Sequence, residues 1–251
     1  MEPLELLFQD EYMVALRKPP GLHVHPTALS REQSSVMKRL SQQLDRWVYP
    51  VHRLDRATSG LMLMALDEST CRSLSLAFQH RQIAKTYLAL VRGWTLPEGL
   101  MDSPVKAQGE TQAKEAHCSY TCLGQTTWPQ PVGPYPQARY SLVQLRPQTG
   151  RRHQLRLQLK KTNHPILGDS TYGDGDHNRA LKEQLGWQRL ALFATGLSFK
   201  HPVSGLALDL TCPLDAETCG LMSRLGFGPL DSNHLLGQDG PSTFNQLLEN
   251  E

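Results

Sequence analysis

The chain has 251 residues, of which 39% are hydrophobic and 20% are charged, a composition typical of a globular protein long enough to bury its own core. The formal net charge of +2 conceals an uneven distribution: residues 1–200 carry 25 basic and 17 acidic side chains, whereas residues 201–251 carry one basic and seven acidic. No apolar run reaches the roughly 18–20 residues of a membrane helix, and acidic residues stand where a signal peptide needs a basic region. We therefore expect neither a membrane protein nor a secreted one.

The cysteines and the absent motifs narrow the class of protein further. The five cysteines are odd in number and include no CxxC pair, so we expect unpaired thiols in the cytoplasm and no zinc site. His23-Val24-His25 lacks a third metal ligand at suitable spacing. No GxSxG, P-loop or GxGxxG motif is present, which argues against the acyl-transfer, nucleotide and dinucleotide chemistry that depends on them.

The first part of the chain predicts strands and helices in alternation. Two short apolar runs on either side of residues 9–11 indicate a β-hairpin, and Lys18-Pro19-Pro20-Gly21 ends it, because proline removes amide donors. A helix is expected over 34–47, where Val36, Leu40, Leu44 and Trp47 recur at helical spacing. The elements expected next are a strand over 61–66, a helix over 68–80 and a strand over 86–91.

The second part begins with a proline-rich stretch. Residues 95–138 hold six prolines among polar residues, which predicts short strands and loops rather than a new domain. The elements expected beyond it are strands over 140–146, 189–200 and 206–212 and helices over 153–161 and 216–225. Because strands outnumber helices, we expect an α+β fold with a mixed, mainly antiparallel sheet and flanking helices and loops. Residues 1–228 would form one domain, and 229–251 an acidic, flexible tail.

The densest polar cluster is residues 52–60, with the sequence HRLDRATSG. Its one carboxylate, Asp55, stands among two arginines and an imidazole, directly before an apolar strand. Neighbouring cations favour the ionised form of a carboxyl group, and burial opposes it. Asp55 is therefore a candidate nucleophile at an electrophilic carbon, and a structural ion pair at the edge of a sheet is the alternative.

A second cluster, residues 149–156 with the sequence TGRRHQLR, lies in a window without acids. Residues 116–168 hold seven basic side chains and no acidic one. On a helix starting near residue 153, Arg152, Arg156 and Lys160 would share one face at i, i+4 spacing. Uncompensated like charges favour a polyanionic partner such as a phosphate backbone, and a solvated basic face is the alternative.

Tyr87 is the one aromatic residue that we single out. It follows Lys85 and Thr86 at the start of an apolar strand. A core tyrosine with its hydroxyl at the rim and a site residue are both compatible with this position.

Five blocks of the sequence, considered together, are typical of one enzyme family. They are Lys18-Pro19-x-Gly21-Leu22-x-Val24-His25-Pro26, His52-Arg53-Leu54-Asp55-x-x-Thr58-Ser59-Gly60, Lys85-x-Tyr87, Thr149-Gly150-Arg151-x-His153-Gln154-Leu155-Arg156 and His164-Pro165-Ile166-Leu167-Gly168-Asp169. They resemble, in the same order, the motifs of the RluA family of pseudouridine synthases, and the resemblance spans roughly residues 5–212. It implies that 1–228 is a single catalytic domain of the pseudouridine synthase fold, with an RNA-binding cleft across the sheet and no N-terminal S4-like domain.

The resemblance implies an isomerase that converts uridine to pseudouridine within RNA, without cofactor or metal. The N1–C1′ bond breaks, the uracil turns and C5 bonds to C1′. Asp55 would be the catalytic aspartate; whether it attacks C1′, adds to C6 of the base or assists through a glycal-like intermediate stays open. Tyr87 would pack against the base and act as general base, and Arg156 would pair with Asp55. Arg53 would fill the space that the flipped uridine leaves.

Other residues of these motifs are predicted to contact the RNA. They are His52, Arg56, Lys18, Arg151, Arg152 and His153. Segments within 133–140 and 168–190 resemble the family's short C-type members, so the expected substrate is tRNA and the expected target is position 65 in the T-stem. A ribosomal-RNA synthase of the family and an RNA-binding or RNA-folding module with little catalysis are the alternatives. We expect a monomer that has no contact with membranes.

Two positions depart from the family pattern. Gln158 stands where the family's block containing Arg156 usually has a histidine, and Phe193 replaces the histidine of a later Leu-His-Ala block. Neither position carries the implied chemistry. The expected effects are therefore on local packing and on contacts with RNA.

Overall fold

The computed structural model describes residues 3–25, 35–230 and 234, and this part of the chain forms two compact units. The first unit contains residues 3–25, 35–85 and 194–213. The second unit contains residues 86–193, 214–230 and 234. The single catalytic domain over 1–228 stays a prediction. The tail predicted over 229–251 lies, apart from residues 229, 230 and 234, outside the described residues.

The described residues form ten strands and five helices. In chain order they are β1 (Leu6–Gln9), β2 (Met13–Lys18), α1 (Val36–Leu44), β3 (Tyr49–Pro50), β4 (Ser59–Ala65), α2 (Glu68–Gln79), β5 (Ala84–Arg92), β6 (Glu98–Met101), β7 (Cys118–Trp128), β8 (Ala138–Pro147), α3 (Gln154–Lys161), α4 (Gly175–Leu185), β9 (Leu192–Lys200), β10 (Ala207–Thr211) and α5 (Ala216–Leu225). Seven strand pairs within the units are antiparallel. The predicted α+β class with a mainly antiparallel sheet is confirmed.

The first unit is built on strands in the order β1-β2-β4-β9, with β3 paired to β4 and β10 paired to β9. Successive side chains of a strand point to opposite faces, so alternate residues of β2 and β4 share one face. Met13, Ala15, Leu61 and Leu63 lie on that face and pack with Leu74 of α2 in a buried core. The other side chains of β4 are buried too, which explains its uninterrupted apolar sequence.

The second unit carries strands in the order β5-β8-β7-β6. The prediction of only short strands and loops over 95–138 is wrong for β7, which is eleven residues long. No proline occurs between Pro104 and Pro129, and all ten residues of β8 pair with β7 across one register shift between Cys122 and Gly124. The prolines therefore border this strand without interrupting it.

Helix α1 is shorter than its apolar stripe predicts. Ser35 caps its first turn, and its hydroxyl accepts a hydrogen bond from the Lys38 amide at 3.2 Å. At the other end Asp45 adopts the left-handed conformation, with φ of 49°, and the helix ends at Leu44. Trp47, which the predicted stripe included, lies beyond the helix and is 64% exposed.

Helix α4 has no counterpart among the predicted elements, whereas α5 matches its prediction residue for residue. The apolar side chains of α4 are confined to its second half, so they form no long stripe. The capping residues at its two ends indicate the helix more clearly than its apolar pattern does. The Asp174 carboxylate accepts from the amides of Asp176 and His177, and Gly186 follows in the left-handed conformation.

Candidate active site

The Asp55 loop, residues 52–60, lies in the first unit and runs directly into β4. The Asp55 carbonyl accepts a hydrogen bond from the Thr58 amide at 3.1 Å, and the Asp55 residue is half-buried. At the end of the loop Gly60 has φ of 110°, and a Cβ atom there would lie 2.1 Å from the carbonyl oxygen of Ala194. Backbone conformation and close packing therefore both require glycine at this position.

A second loop, residues 18–21, holds the Asp55 loop by its backbone. The Gly21 amide donates to the Arg56 carbonyl at 2.9 Å, and Arg56 Nε donates to the Gly21 carbonyl at 2.9 Å. Lys18 Nζ donates to the same Arg56 carbonyl at 3.1 Å and to the Pro19 carbonyl at 2.8 Å. The two sequence blocks that contain Lys18 and Asp55 thus form one local structure.

Lys18 is fully buried, with 0% of its surface exposed. Burial lowers the pKa of its ammonium group to about 7; the negative charge of Asp55 opposes this shift, and the positive charge of Arg56 adds to it. The RNA contact predicted for Lys18 stays a prediction. In this conformation its ammonium points at backbone carbonyls instead.

His52 and the two arginines of the Asp55 loop differ in their surroundings. The His52 ring stacks on Phe78 with 4.6 Å between ring centroids, and its Nε2 accepts a hydrogen bond from the Leu63 amide at 2.9 Å. Burial and the nearby charge of Lys85 lower the pKa of His52 to about 3, so the imidazole is neutral at physiological pH. Arg53 and Arg56 are exposed, as residues that contact a phosphate backbone would be.

In the second unit, residues 149–153 form a turn directly before α3. Gln154 Oε1 accepts from the Thr149 hydroxyl at 2.7 Å and from the Arg151 amide at 3.0 Å. Arg151 and Arg152 are exposed, and their guanidinium groups donate to the carbonyls of Glu115 and Gln108. His153 adopts the left-handed conformation, with φ of 54°. The turn therefore exposes two cations while fixing the start of the helix.

A buried ion pair follows on α3, at the centre of a group that we name the Arg156 cluster: His153, Arg156, Lys160, Asp169 and Tyr172. Arg156 Nε and Nη2 donate to the two carboxylate oxygens of Asp169, each at 2.7 Å, and the two side chains are 7% and 1% exposed. Burial acts to raise the pKa of Asp169, but hydrogen bonds from Arg156 and from the amides of Tyr172 and Thr171 outweigh it and lower the pKa. Asp169 is therefore an ionised partner that fixes the guanidinium plane.

Tyr172 contacts three other members of this cluster, Arg156, Lys160 and His153. The Arg156 guanidinium carbon lies 4.9 Å from the centre of its ring, and Lys160 Nζ lies 5.9 Å from it. Its hydroxyl is 2.9 Å from His153 Nδ1. Sequence reasoning assigned a role to neither Asp169 nor Tyr172; Asp169 at least ends one of the family-like blocks, whereas no sequence signal marks Tyr172.

One expectation about the basic cluster is wrong. Arg152, Arg156 and Lys160 do not form a shared helix face, because α3 begins at Gln154 and Arg152 precedes it. Arg156 is buried, whereas Lys160 is exposed. This segment therefore has one buried cation, Arg156, and several exposed ones.

Tyr87 lies on β5 of the second unit, paired with Leu145 of β8, and is half-buried. The structure groups Lys18, Asp55 and Arg56 in the first unit and His153, Arg156 and Asp169 in the second. The contacts of Asp55 with Tyr87 and Arg156, which the family resemblance implies, stay predictions.

Three other features of the described residues bear on the class of protein. Their His, Cys, Asp and Glu side chains contain no group of three or more placed to hold a metal ion. None of their helices has the length and apolarity to cross a membrane. The five cysteines, all within this part of the chain, form no disulfide.

Comparison with known proteins places these features in a family. A model of the RNA pseudouridylate synthase family matches residues 12–161, which contain Lys18, Asp55, Tyr87 and Arg156. The chain belongs to this family. It is therefore an isomerase that converts uridine to pseudouridine in RNA.

Curated relatives and solved structures of pseudouridine synthases resemble the chain over most of its length. It is 42% identical over 254 residues to the tRNA pseudouridine synthase C of Yersinia pestis, a match covering 97% of this chain and 98% of that protein. It is 42% identical over 231 residues to the protein of the same name from Pasteurella multocida, covering 88% and 95%. Human RNA Pseudouridylate Synthase Domain Containing 4 has a similar structure, with a TM-score of 0.69, 26% identity and coverage of 90% and 95%.

The two departures from the family pattern occupy buried positions. Gln158 is fully buried, and its Nε2 donates to the carbonyls of Met101 at 2.8 Å and Ala116 at 2.9 Å. It thus ties α3 to β6 and to the segment before β7. Phe193 is also buried. The effect of both departures on packing and on contacts with RNA stays a prediction.

Proposed function

We propose that this pseudouridine synthase acts on tRNA, at position 65 in the T-stem, in the cytoplasm. The observation that carries the proposal is the 42% identity, over nearly the full length of both chains, to a protein named tRNA pseudouridine synthase C. Proteins of the same name from other organisms match at 37–42% identity over most of the chain.

Segments within 168–190 that resemble C-type members pack on one another in the second unit. The Asn178 side chain accepts from the Gly168 amide at 2.8 Å and donates to the Asp169 carbonyl at 2.9 Å. A Cβ atom at Gly168 would lie 1.9 Å from the Arg189 carbonyl oxygen, and one at Gly173 would lie 2.2 Å from the Asp169 carbonyl oxygen. These residues form the structure that holds Asp169, and through it Arg156.

The proposed chemistry assigns Asp55 as the reacting carboxylate. The N1–C1′ bond of the target uridine breaks, the base turns, C5 bonds to C1′ and the proton on C5 is removed at the end. Tyr87 would pack against the base and act as general base for that proton. Arg156, held by Asp169, would pair with Asp55. The first step of Asp55, at C1′, at C6 or through a glycal, is left open.

RNA binding would draw on the exposed cations. Arg53 would replace the flipped uridine in the stack, because a base must leave the helix before its glycosidic bond can react. Arg56, Arg151 and Arg152 would contact phosphates. Such contacts make affinity fall as salt rises, since each neutralised phosphate releases counterions.

Pseudouridine mapping in total tRNA and ribosomal RNA tests the proposal, with the gene deleted and then restored. The expected result is loss of one T-stem pseudouridine at position 65 of some tRNAs, which returns on complementation. In vitro, the purified protein should modify a tRNA transcript with uridine at 65 and leave one with cytidine there unmodified. Loss confined to ribosomal RNA would instead identify a ribosomal-RNA synthase of the family, and no change in either RNA would favour a binding module.

A further inference from the structure

Trp94 is an exposed aromatic residue that has no role in the chemistry described so far. It lies two residues after the end of β5, and 46% of its surface is exposed. The guanidinium carbon of Arg139, the second residue of β8, lies 4.3 Å from the centre of its ring. Arg139 is exposed as well. We name these two residues the Trp94–Arg139 stack, which presents a positive charge at a defined place on the surface of the second unit.

Hydrogen bonds fix the backbone and the ring of the stack. The Gly93 amide donates to the Arg139 carbonyl at 2.7 Å, and the Ser141 hydroxyl donates to the Gly93 carbonyl at 2.8 Å. The indole N–H of Trp94 donates to the Thr126 carbonyl of β7 at 3.1 Å. Because these groups are already held in place, a ligand of Arg139 would immobilise few additional ones, which lowers the entropic cost of binding.

The charge of Arg139 indicates what kind of ligand the stack would bind. Arg139 lies in the window over residues 116–168 that contains no acidic side chain. Within the part of the chain that the structure describes, no acidic side chain forms an ion pair with it. A guanidinium group matches the geometry of phosphate oxygens, and this enzyme acts on RNA. A phosphate of the RNA backbone is therefore the ligand of matching charge.

The stack is distant from Tyr87 but belongs to the same sheet. Tyr87 pairs with Leu145 of β8, which lies six residues after Arg139 in that strand. At about 3.3 Å per residue, these two positions of β8 are roughly 20 Å apart, and their even separation puts them on one face. Tyr140, next to Arg139, points to the other face, where its hydroxyl is 3.1 Å from His177 Nδ1 of α4. The stack is thus placed to reach RNA beyond the target nucleotide.

We propose that the Trp94–Arg139 stack is a second RNA contact of the enzyme, which binds a backbone phosphate of the substrate roughly 20 Å from the target uridine. Trp94 holds the guanidinium plane, and Arg139 supplies the charge. The distance from the target rests on the proposed role of Tyr87. A contact this far from the reacting atoms stabilises the bound substrate and the transition state equally, so it acts on affinity and KM and not on kcat.

Binding and steady-state kinetics on the tRNA transcript test this contact. Arg139→Ala removes the charge, Arg139→Lys keeps the charge without the flat guanidinium, and Trp94→Ala removes its support. Arg179→Ala is the matched control, because Arg179 is an exposed arginine of the same unit that is paired with Asp176. We expect Arg139→Ala to weaken tRNA binding and raise KM about five- to tenfold, with kcat within about twofold of wild type. Arg139→Lys and Trp94→Ala should give smaller changes in the same direction.

A salt titration of tRNA binding shows whether Arg139 contacts a phosphate. If it neutralises one phosphate, the slope of log affinity against log salt concentration should be shallower by about 1 in Arg139→Ala and unchanged in Arg179→Ala. Three results would overturn the proposal: unchanged affinity and salt slope in Arg139→Ala, a lowered kcat at unchanged KM, or equal effects of Arg139→Ala and Arg179→Ala.

The choice of tRNA as the probe rests on the proposed function, so wild-type protein is assayed first on tRNA and ribosomal RNA. If it modifies only ribosomal RNA, the proposed tRNA function fails, and the variants are compared on that RNA with the same expectations. Failure of the stack alone leaves modification of tRNA by the wild-type protein intact. The two failures are therefore distinguishable.

Discussion

Two buried cations, Lys18 beside the Asp55 loop and Arg156 in the Arg156 cluster, have their charges compensated differently. Arg156 is met by a bidentate carboxylate, Asp169, with two hydrogen bonds of 2.7 Å. Lys18 donates hydrogen bonds to two backbone carbonyls, and the negative charge of Asp55 also acts on it. The first arrangement is a buried ion pair, whereas the second holds its cation mainly by backbone carbonyls, which carry no net charge.

We expect the largest effect from a substitution that removes the carboxylate of the Asp55 loop. Asp55→Asn should lower the isomerisation rate by roughly 10³-fold or more, because the proposed reacting carboxylate is lost. tRNA affinity should stay within about tenfold, about 1.4 kcal/mol. Pseudouridine formation and tRNA binding are measured on the same preparations. Asp209→Asn, an exposed aspartate of the same unit, serves as control; near-normal turnover in Asp55→Asn would refute the assignment.

Removing the carboxylate of the Arg156 cluster should instead act on stability. Asp169→Asn leaves the buried Arg156 without its counter-charge, which should lower the free energy of unfolding by about 3–5 kcal/mol. Asp176→Asn is the matched control in the same unit, because its ion pair with Arg179 is exposed, and its effect should stay within about 0.5 kcal/mol. Urea unfolding measures both. If both variants lose a similar free energy of unfolding, burial of the Arg156–Asp169 pair does not determine its contribution to stability.

The same pair predicts a dependence of stability on pH. Because the pKa of Asp169 is lowered in the folded protein, its contribution is complete above the unfolded value of 3.8 and is lost as pH falls through the folded value. The difference in urea midpoint between wild type and Asp169→Asn should therefore be constant above about pH 5 and narrow below it. Midpoints measured from pH 7 to pH 3 test this. A difference that widens on acidification would contradict it.

The smallest expected effect concerns Tyr172, which supports Arg156 through its ring and His153 through its hydroxyl. Tyr172→Phe removes only the 2.9 Å contact with His153 Nδ1 and should cost about 0.5–1.5 kcal/mol. Tyr172→Leu also removes the ring beneath the guanidinium and should cost about 0.5–1 kcal/mol more. Thermal or urea unfolding compares the two variants. Equal losses would show that the ring contributes nothing to holding Arg156.

The sequence predicts the fold class and most of the elements well, because their signals are local. The hairpin of β1 and β2 and the helix α5 follow from apolar runs and capping residues within a few positions. Periodicity does not predict helix α4, because its apolar residues form no stripe, although Asp174 and Gly186 mark its ends. The length of β7 escapes prediction because the prolines that suggest loops lie on both sides of the strand and not within it.

The sequence likewise predicts some residues of the candidate site and misses others. Asp55, Tyr87 and Arg156 stand in blocks that a family resemblance can recognise. The partner of Arg156 does not follow from the sequence, because Asp169 lies thirteen residues away in a loop, where helical spacing predicts no contact. The sequence does not predict the burial of Lys18 either. A lysine next to two prolines suggests an exposed turn, and only the pairing of β2 with β4 shows that it is enclosed.

The close packing of Gly60 against Ala194 has a consequence for the protein as it is made on the ribosome. Residues 3–85 emerge first, but the strands that complete their unit, β9 and β10, follow only after the intervening residues 86–193. Until then the core lacks Leu197 and Phe199, and the end of the Asp55 loop lacks its backing. The nascent chain therefore carries the Asp55 loop, with its proposed catalytic aspartate, on an incomplete unit until residues 194–213 have been made and have joined it.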